Sequence, residues 1–216
     1  MATTWLDGER REQRYAGRMF RLLLGALTRP GTRLQLEEPS FHSEMPASQR
    51  TAINWFALGA LYTLLDAEVT FLLAAKGRWL EREHALSAFI SMQTGASVAT
   101  PPAAQFACAL DDDIALLLPE LNQGTLLEPE ASASVLLCVE RLAETAFPRA
   151  RELALTGPGI ASRRNLFVSG LRDEALRWIG AARQDYPLGL DYFLLDAEGG
   201  CVGVPRTTRI FSHEGS

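Results

Sequence analysis

The chain reads as an α/β protein, a single domain in which a mixed sheet is flanked by helices and closed by a C-terminal antiparallel hairpin. Three observations predict this. Segments with apolar residues at helical spacing alternate with short continuous apolar runs, the pattern of helices stacked on a sheet. Near the end, two apolar runs flank Gly199-Gly200, a hairpin signature. No repeat, low-complexity segment or long linker divides the 216 residues, a length that supports one substantial core.

The elements follow in order. Residues 10–27 are expected as a helix with Tyr15, Met19, Leu22, Leu23 and Ala26 as its apolar stripe, stopped by Arg29-Pro30-Gly31. Thr32–Leu36 is a short strand. Residues 49–65 form a second helix, with Ile53, Phe56, Ala57, Ala60, Leu61 and Leu64 on one face. Trp55, Leu58 and Tyr62 extend its apolar surface almost all round, so it is buried on several sides. Val69–Ala74 is a strand covered on both faces. A third helix is expected at 79–92, ending near Gly95, then strands at 104–109 and 133–139 separated by Asp111-Asp112-Asp113 and a turn-rich loop from Pro119 to Pro129. Glu152–Leu155 is a strand halted by Thr156-Gly157-Pro158-Gly159. A last helix at 170–184 buries Leu171, Ala175, Trp178, Ile179 and Ala182 before the closing hairpin.

Hydrophobic residues make up 47% and charged residues 22%, values of a globular chain rather than a disordered one. The net charge of −5 does not favour nucleic acid or an anionic membrane as partner. Residues 1–33 run against this balance, with seven arginines against Asp7, Glu9 and Glu12. The N-terminus, with Asp7, Glu9 and Glu12 and no apolar core, does not read as a secretory signal. The uncharged stretch Ala85–Leu110 contains Pro101-Pro102 and many small polar residues, which argues against a membrane helix. Cys108, Cys138 and Cys201 are far apart within apolar runs, as expected of reduced, buried thiols in a cytoplasmic protein.

Several constellations invite a chemical reading. Thr156-Gly157-Pro158-Gly159 follows a strand, where glycines let a backbone approach a phosphate. Pro158 removes one N–H donor, however, and a turn shaped for packing is the alternative. Arg11, Arg14, Arg18 and Arg21 recur at spacings of 3, 4 and 3 and share one helix face, either solvated or docked on an acidic partner. Asp111-Asp112-Asp113 reads as a cap and acidic first turn before Ile114, since three consecutive carboxylates do not converge on one ion. His42, His84 and His213 have no ligand spacing with the cysteines, so no metal site is expected. The single lysine, Lys76, falls in Ala75-Lys76-Gly77-Arg78, read as a strand-to-helix turn, and any imine chemistry would rest on it. Finally, Pro205-Arg206-Thr207-Thr208 brings a guanidinium and two hydroxyls to one point. They either grip an anion or a neighbouring chain, or Arg206 pairs structurally with Asp191 across the hairpin.

Taken together, Gly17–Arg21 with Arg29–Thr32, Leu64-Leu65-Asp66, Gly124-Thr125 with Glu128-Pro129-Glu130, Leu155–Ile160, Tyr186–Asp191 and Pro205–Thr208 resemble, in order, the PhnH family, a component of the bacterial carbon–phosphorus lyase system of phosphonate utilisation. The likeness covers a core of residues 16–210, with 1–15 as a helical lead-in. It implies a fold like the large domain of pyridoxal-phosphate (PLP)-dependent transferases without the cofactor lysine, hence no PLP. It also implies a cytoplasmic homodimer that joins subunits G, I and J, with no nucleic-acid or membrane partner. With G, I and L, members of the family support transfer of the ribose 5-triphosphate of ATP onto a phosphonate, releasing adenine. The resemblance assigns no catalytic residue. Arg206, Thr207, Thr208, Thr156, Gly157, Gly159 and Asp191 stand as candidates for anion or partner contact. The competing reading is a stand-alone nucleotide- or phosphonate-acting transferase built on Arg206 and the Gly157–Gly159 turn.

Overall fold

The computed structural model describes residues 2–39, 53–181 and 186–212. Helix α1 spans Ala2–Thr28, about two turns longer at its start than the apolar stripe predicts. Tyr15, Met19, Leu23 and Ala26 are buried and Leu22 is half-buried, as their 3–4 residue spacing requires. After the two-residue strand β1 (Leu34–Gln35) comes α2 (Trp55–Leu64), buried through Ala57–Leu61. Its start is set by Asn54, whose side-chain oxygen accepts the N–H groups of Phe56 and Ala57 at 2.9 and 3.1 Å. The part of the expected second helix before residue 53 lies outside the described residues.

The remaining elements are β2 (Thr70–Ala75), β3 (Arg78–Leu80), α3 (Ala85–Thr94), β4 (Ser97–Val98), β5 (Phe106–Ala109), β6 (Ser134–Cys138), β7 (Arg141–Ala143), β8 (Arg151–Thr156) and β9 (Arg164–Ser169). They are followed by α4 (Asp173–Ala181), β10 (Asp191–Leu195), β11 (Gly200–Val204) and β12 (Arg209–Ser212). Eight strands form a mixed sheet in the order β1-β11-β10-β6-β5-β2-β3, with β4 also paired to β2. The centre, β10-β6-β5-β2, is parallel. A second, antiparallel sheet runs β12-β8-β9-β7.

Register explains why the central strands read as unbroken apolar runs. Leu73, Cys108, Leu136 and Phe193 align across four strands and face α1, α2 and α3. The next row, Ala74, Ala109, Leu137 and Leu194, faces the small sheet and α4. Both faces are covered, so polar residues on these strands are confined to their first positions, Thr70, Ser134 and Asp191. The result is three layers: helices, large sheet, small sheet with its helix.

Four expectations need correction. Arg78–Leu80 is not helical. Lys76 and Gly77 both take positive φ (53° and 68°), the two-residue turn that folds β3 back on β2, and the helix begins only at Ala85. The Lys76 turn therefore joins two strands. Asp111-Asp112-Asp113 does not open a helix either; a turn follows, ending in a single 3₁₀ turn at Leu118–Glu120. Lastly, most of the small sheet goes unpredicted. Strand β9 buries only Leu166 and Val168 in alternation with Asn165 and Phe167, too few apolar residues to register as a run.

Candidate functional site

Several blocks that carry the family likeness, Arg29–Thr32, Leu155–Ile160, Tyr186–Asp191 and Pro205–Thr208, meet at one end of the small sheet. Strand β8 ends at Thr156, and the following turn closes with the N–H of Ile160 donating to the Gly157 carbonyl at 3.1 Å. Gly157 has φ 138°, and a Cβ there would lie 2.8 Å from the Thr207 carbonyl oxygen, so only glycine lets the two turns touch backbone to backbone. Gly159 packs against the Pro30 ring and the Thr28 carbonyl. The N–H of Gly31 donates to the Gly203 carbonyl at 3.2 Å, and Arg164 donates to Thr32. Segments 28–32, 156–160 and 203–208 thus form one packed knot.

Arg206 sits inside that knot. Its Nη2 donates to Asp191 Oδ2 at 2.6 Å, its Nε reaches both Asp191 oxygens at 3.3 Å, and Nη1 donates to the Pro129 carbonyl. Its backbone N–H donates to Asp191 Oδ1 at 2.7 Å. The two side chains keep only 15% and 20% of their exposure. Every nitrogen of the guanidinium is engaged, so of the two roles open from sequence, the geometry displays the tie to Asp191. Through Pro129 the tie also fixes the 122–133 loop, where the Asn122 side chain donates to the Ala131 carbonyl and the Gly189 N–H donates to the Gln123 carbonyl.

Beside the knot lies an open recess of about 740 Å³ between the Thr156–Pro158 turn, the 205–208 turn, β12, the end of α4 and Tyr186. Of the candidate residues, Thr156, Gly157, Arg206 and Thr207 line it. Gly159 and Asp191 do not. Thr208 turns the other way and is fully buried, its Oγ1 without a partner among the described residues. The two threonine hydroxyls therefore diverge rather than converge. Arg209 also lines the recess and went unnoticed in the sequence, where nothing separates it from the chain's other surface arginines. It pairs across strands with Thr156, which puts both side chains on one face. It is exposed and has no acidic partner among the described residues.

The other candidates are occupied locally. Arg18 makes a bidentate pair with Glu37, Nε to Oε1 and Nη2 to Oε2 each at 2.8 Å, which holds the Glu37 carboxyl below its usual range. The side chain of Arg11, with His42 and His213, lies outside the described residues. Asp111 accepts the N–H groups of Lys76 and Asp113 at 2.7 and 3.2 Å, and Arg172 bridges Asp112 and Asp113. Lys76 stands exposed on its hairpin turn. His84 caps α3, its Nδ1 accepting the Leu86 N–H at 3.3 Å. Among the described residues no three His, Cys, Asp or Glu side chains are grouped to hold a metal ion, and no helix is long and apolar enough to cross a membrane.

All three cysteines are free and buried. A hydrogen bond with Cys138, and then burial, raises the Cys108 thiol well above its ordinary range. Burial, with Asp196 nearby, pushes Cys201 up to about 12. Asp196 was missed from sequence. Fully buried, it accepts the N–H groups of Glu198, Gly200 and Leu142 and faces Arg33 at 3.3 Å, fixing the β10–β11 turn. The signal was present as Asp-x-x-Gly-Gly, an aspartate poised to bond its own turn.

Two comparisons complete this picture. HtxG of Stutzerimonas stutzeri, described as a C-P lyase subunit protein, is 34% identical over 127 residues, which cover 59% of this chain. The match spans 61% of the length of HtxG. The sequence model of the bacterial phosphonate metabolism protein family PhnH matches residues 8–211, nearly the whole chain and every segment of the knot, and the protein belongs to that family.

Proposed function

We infer that this protein is an accessory subunit of the carbon–phosphorus lyase assembly, a cytoplasmic homodimer that joins subunits G, I and J. With L, it supports transfer of the ribose 5-triphosphate of ATP onto a phosphonate as adenine leaves. The observation that carries this reading is the family match over residues 8–211, seconded by the likeness to HtxG. The disposition of the chemistry-bearing side chains agrees with it. Arg206 is consumed in a tie to Asp191 and Pro129, and the aspartates at 111–113 are held by Arg172 and a backbone N–H. The fold is read as a counterpart of the large domain of PLP-dependent transferases that binds no PLP, its one lysine standing on an exposed turn.

The purified chain incubated with ATP and methylphosphonate is expected to release no adenine, and co-expressed sister subunits are expected to be pulled down with it. Robust adenine release by the isolated chain would replace this reading with that of a stand-alone transferase.

A further inference from the structure

The recess beside the knot has a composition that the accessory role does not explain. Among the described residues that line it, two are arginines and none is a carboxylate, in a chain whose net charge is −5. Thr156, Thr207 and Tyr186 line it, and their hydroxyls have no hydrogen-bond partner among the described residues. Arg206 contributes charge at the back wall, but its nitrogens are taken. Arg209, opposite Thr156 on the neighbouring strand, has no hydrogen-bond or ion-pair partner among the described residues. An unpaired guanidinium offers a planar fork of N–H donors that matches two oxygens of a tetrahedral anion, and flanking hydroxyls supply donors to the third. The recess is within the size range of small-molecule sites and is walled by a glycine-proline turn that cannot swing a side chain into it.

We propose that this recess is a subsite for a phosphoryl or phosphonyl group, gripped by Arg209 with the hydroxyls of Thr156 and Thr207. The choice of anion class rests on the phosphonate-utilisation reading above; the existence of an anion site does not. Arg206 is a positioning residue here, since it holds the 205–208 turn that carries Thr207.

The test is calorimetric titration of the full chain at low ionic strength with tripolyphosphate, ATP and methylphosphonate. Saturable binding of at least one probe is expected, weakening as salt is added because the site is open to solvent. Arg209→Ala is expected to lower that affinity at least about tenfold with an unchanged melting temperature. Arg209→Lys, which keeps the charge and loses the fork, should fall between the two. Equal affinity for ATP and tripolyphosphate assigns the site to a phosphate chain; preference for methylphosphonate assigns it to the phosphonate. Binding by Arg209→Ala within twofold of the parent, or no saturable binding of any probe, overturns the subsite. Co-purification with the sister subunits is scored on the same samples. A parent chain that binds anion but fails to assemble would sink the accessory role and leave the subsite standing; the converse result would do the opposite.

Discussion

Arg206 and Arg209 leave the same stretch of chain three residues apart, yet one faces inward and the other outward. Arg206 directs its guanidinium at Asp191 and the Pro129 carbonyl and retains 15% of its side-chain exposure. Arg209, on the edge strand β12, projects into the open recess with no ion pair among the described residues. The turn between them makes the difference. The N–H of Thr208 donates to the Pro205 carbonyl at 2.8 Å, reversing the chain so that residues on either side of it meet different surroundings. An arginine inside a dense motif of Pro, Thr and Gly is there because its neighbours are packed around it. The arginine free to meet a ligand is the unremarked one just beyond.

The strongest challenge to this contrast is Arg206→Ala. It leaves Asp191 half-buried with a single backbone donor and takes the guanidinium donor from the Pro129 carbonyl, which keeps only the Ser132 N–H at 3.4 Å, and removing one member of such a half-buried pair costs about 2–3 kcal/mol. For a chain of this size the melting temperature should drop by about 5–10 °C, read by circular dichroism. If Arg206→Ala melts like the parent, the tie is not structural and the contrast collapses.

Gly157→Ala comes next. The added Cβ would press on the Thr207 carbonyl and must adopt φ 138°, and a loss of about 2 kcal/mol is expected. Because the same contact carries Thr207, anion affinity should fall along with stability, whereas Arg209→Ala lowers affinity alone.

Alkaline titration probes the interior end of the strand that leads to Arg206. Cys201 titrates at about 12 in the folded protein against an ordinary 9.0. Between those values the unfolded chain has given up a proton that the folded chain keeps. Stability is therefore fully present below pH 9 and is lost as pH rises toward 12, by about 1.4 kcal/mol per unit at most for one group. Cys108 and Tyr15, raised through a Cys138 hydrogen bond and through burial respectively, act in the same direction. Thermal melts at pH 8, 9, 10 and 11 should show the decline; a flat profile would mean these thiols are open to solvent. The smallest expected effect is that of Arg209→Ala on melting, under about 0.5 kcal/mol for an exposed side chain with no ion pair among the described residues.

How much of this was legible depended on whether the signal was local. The parallel strands stood out because burial on both faces leaves a continuous apolar run, as at Val135–Val139. The burial of α1 through Tyr15, Met19, Leu23 and Ala26 followed from a 3.6-residue repeat. Strand β3 reads as the start of a helix because three residues carry no period of their own, and only the positive φ of Lys76 and Gly77 turns them back. Strand β9 was invisible because its pairing partners, not its composition, make it a strand.

Composition, periodicity and short motifs determined the α/β class, the central apolar strands, the closing hairpin and the family, because each rests on residues close together in the chain. Which arginine is spent and which is free was decided in space. Asp191, 15 residues from Arg206 across the hairpin, is one of two partners the sequence leaves open, but Pro129 lies 77 residues away, and no local pattern encodes that it joins them. Charge–charge attraction and hydrogen bonding act over a few ångströms and only when the groups are held in place. The packing of the 28–32, 156–160 and 203–208 segments supplies that placement, and the same packing leaves Arg209 on the open side.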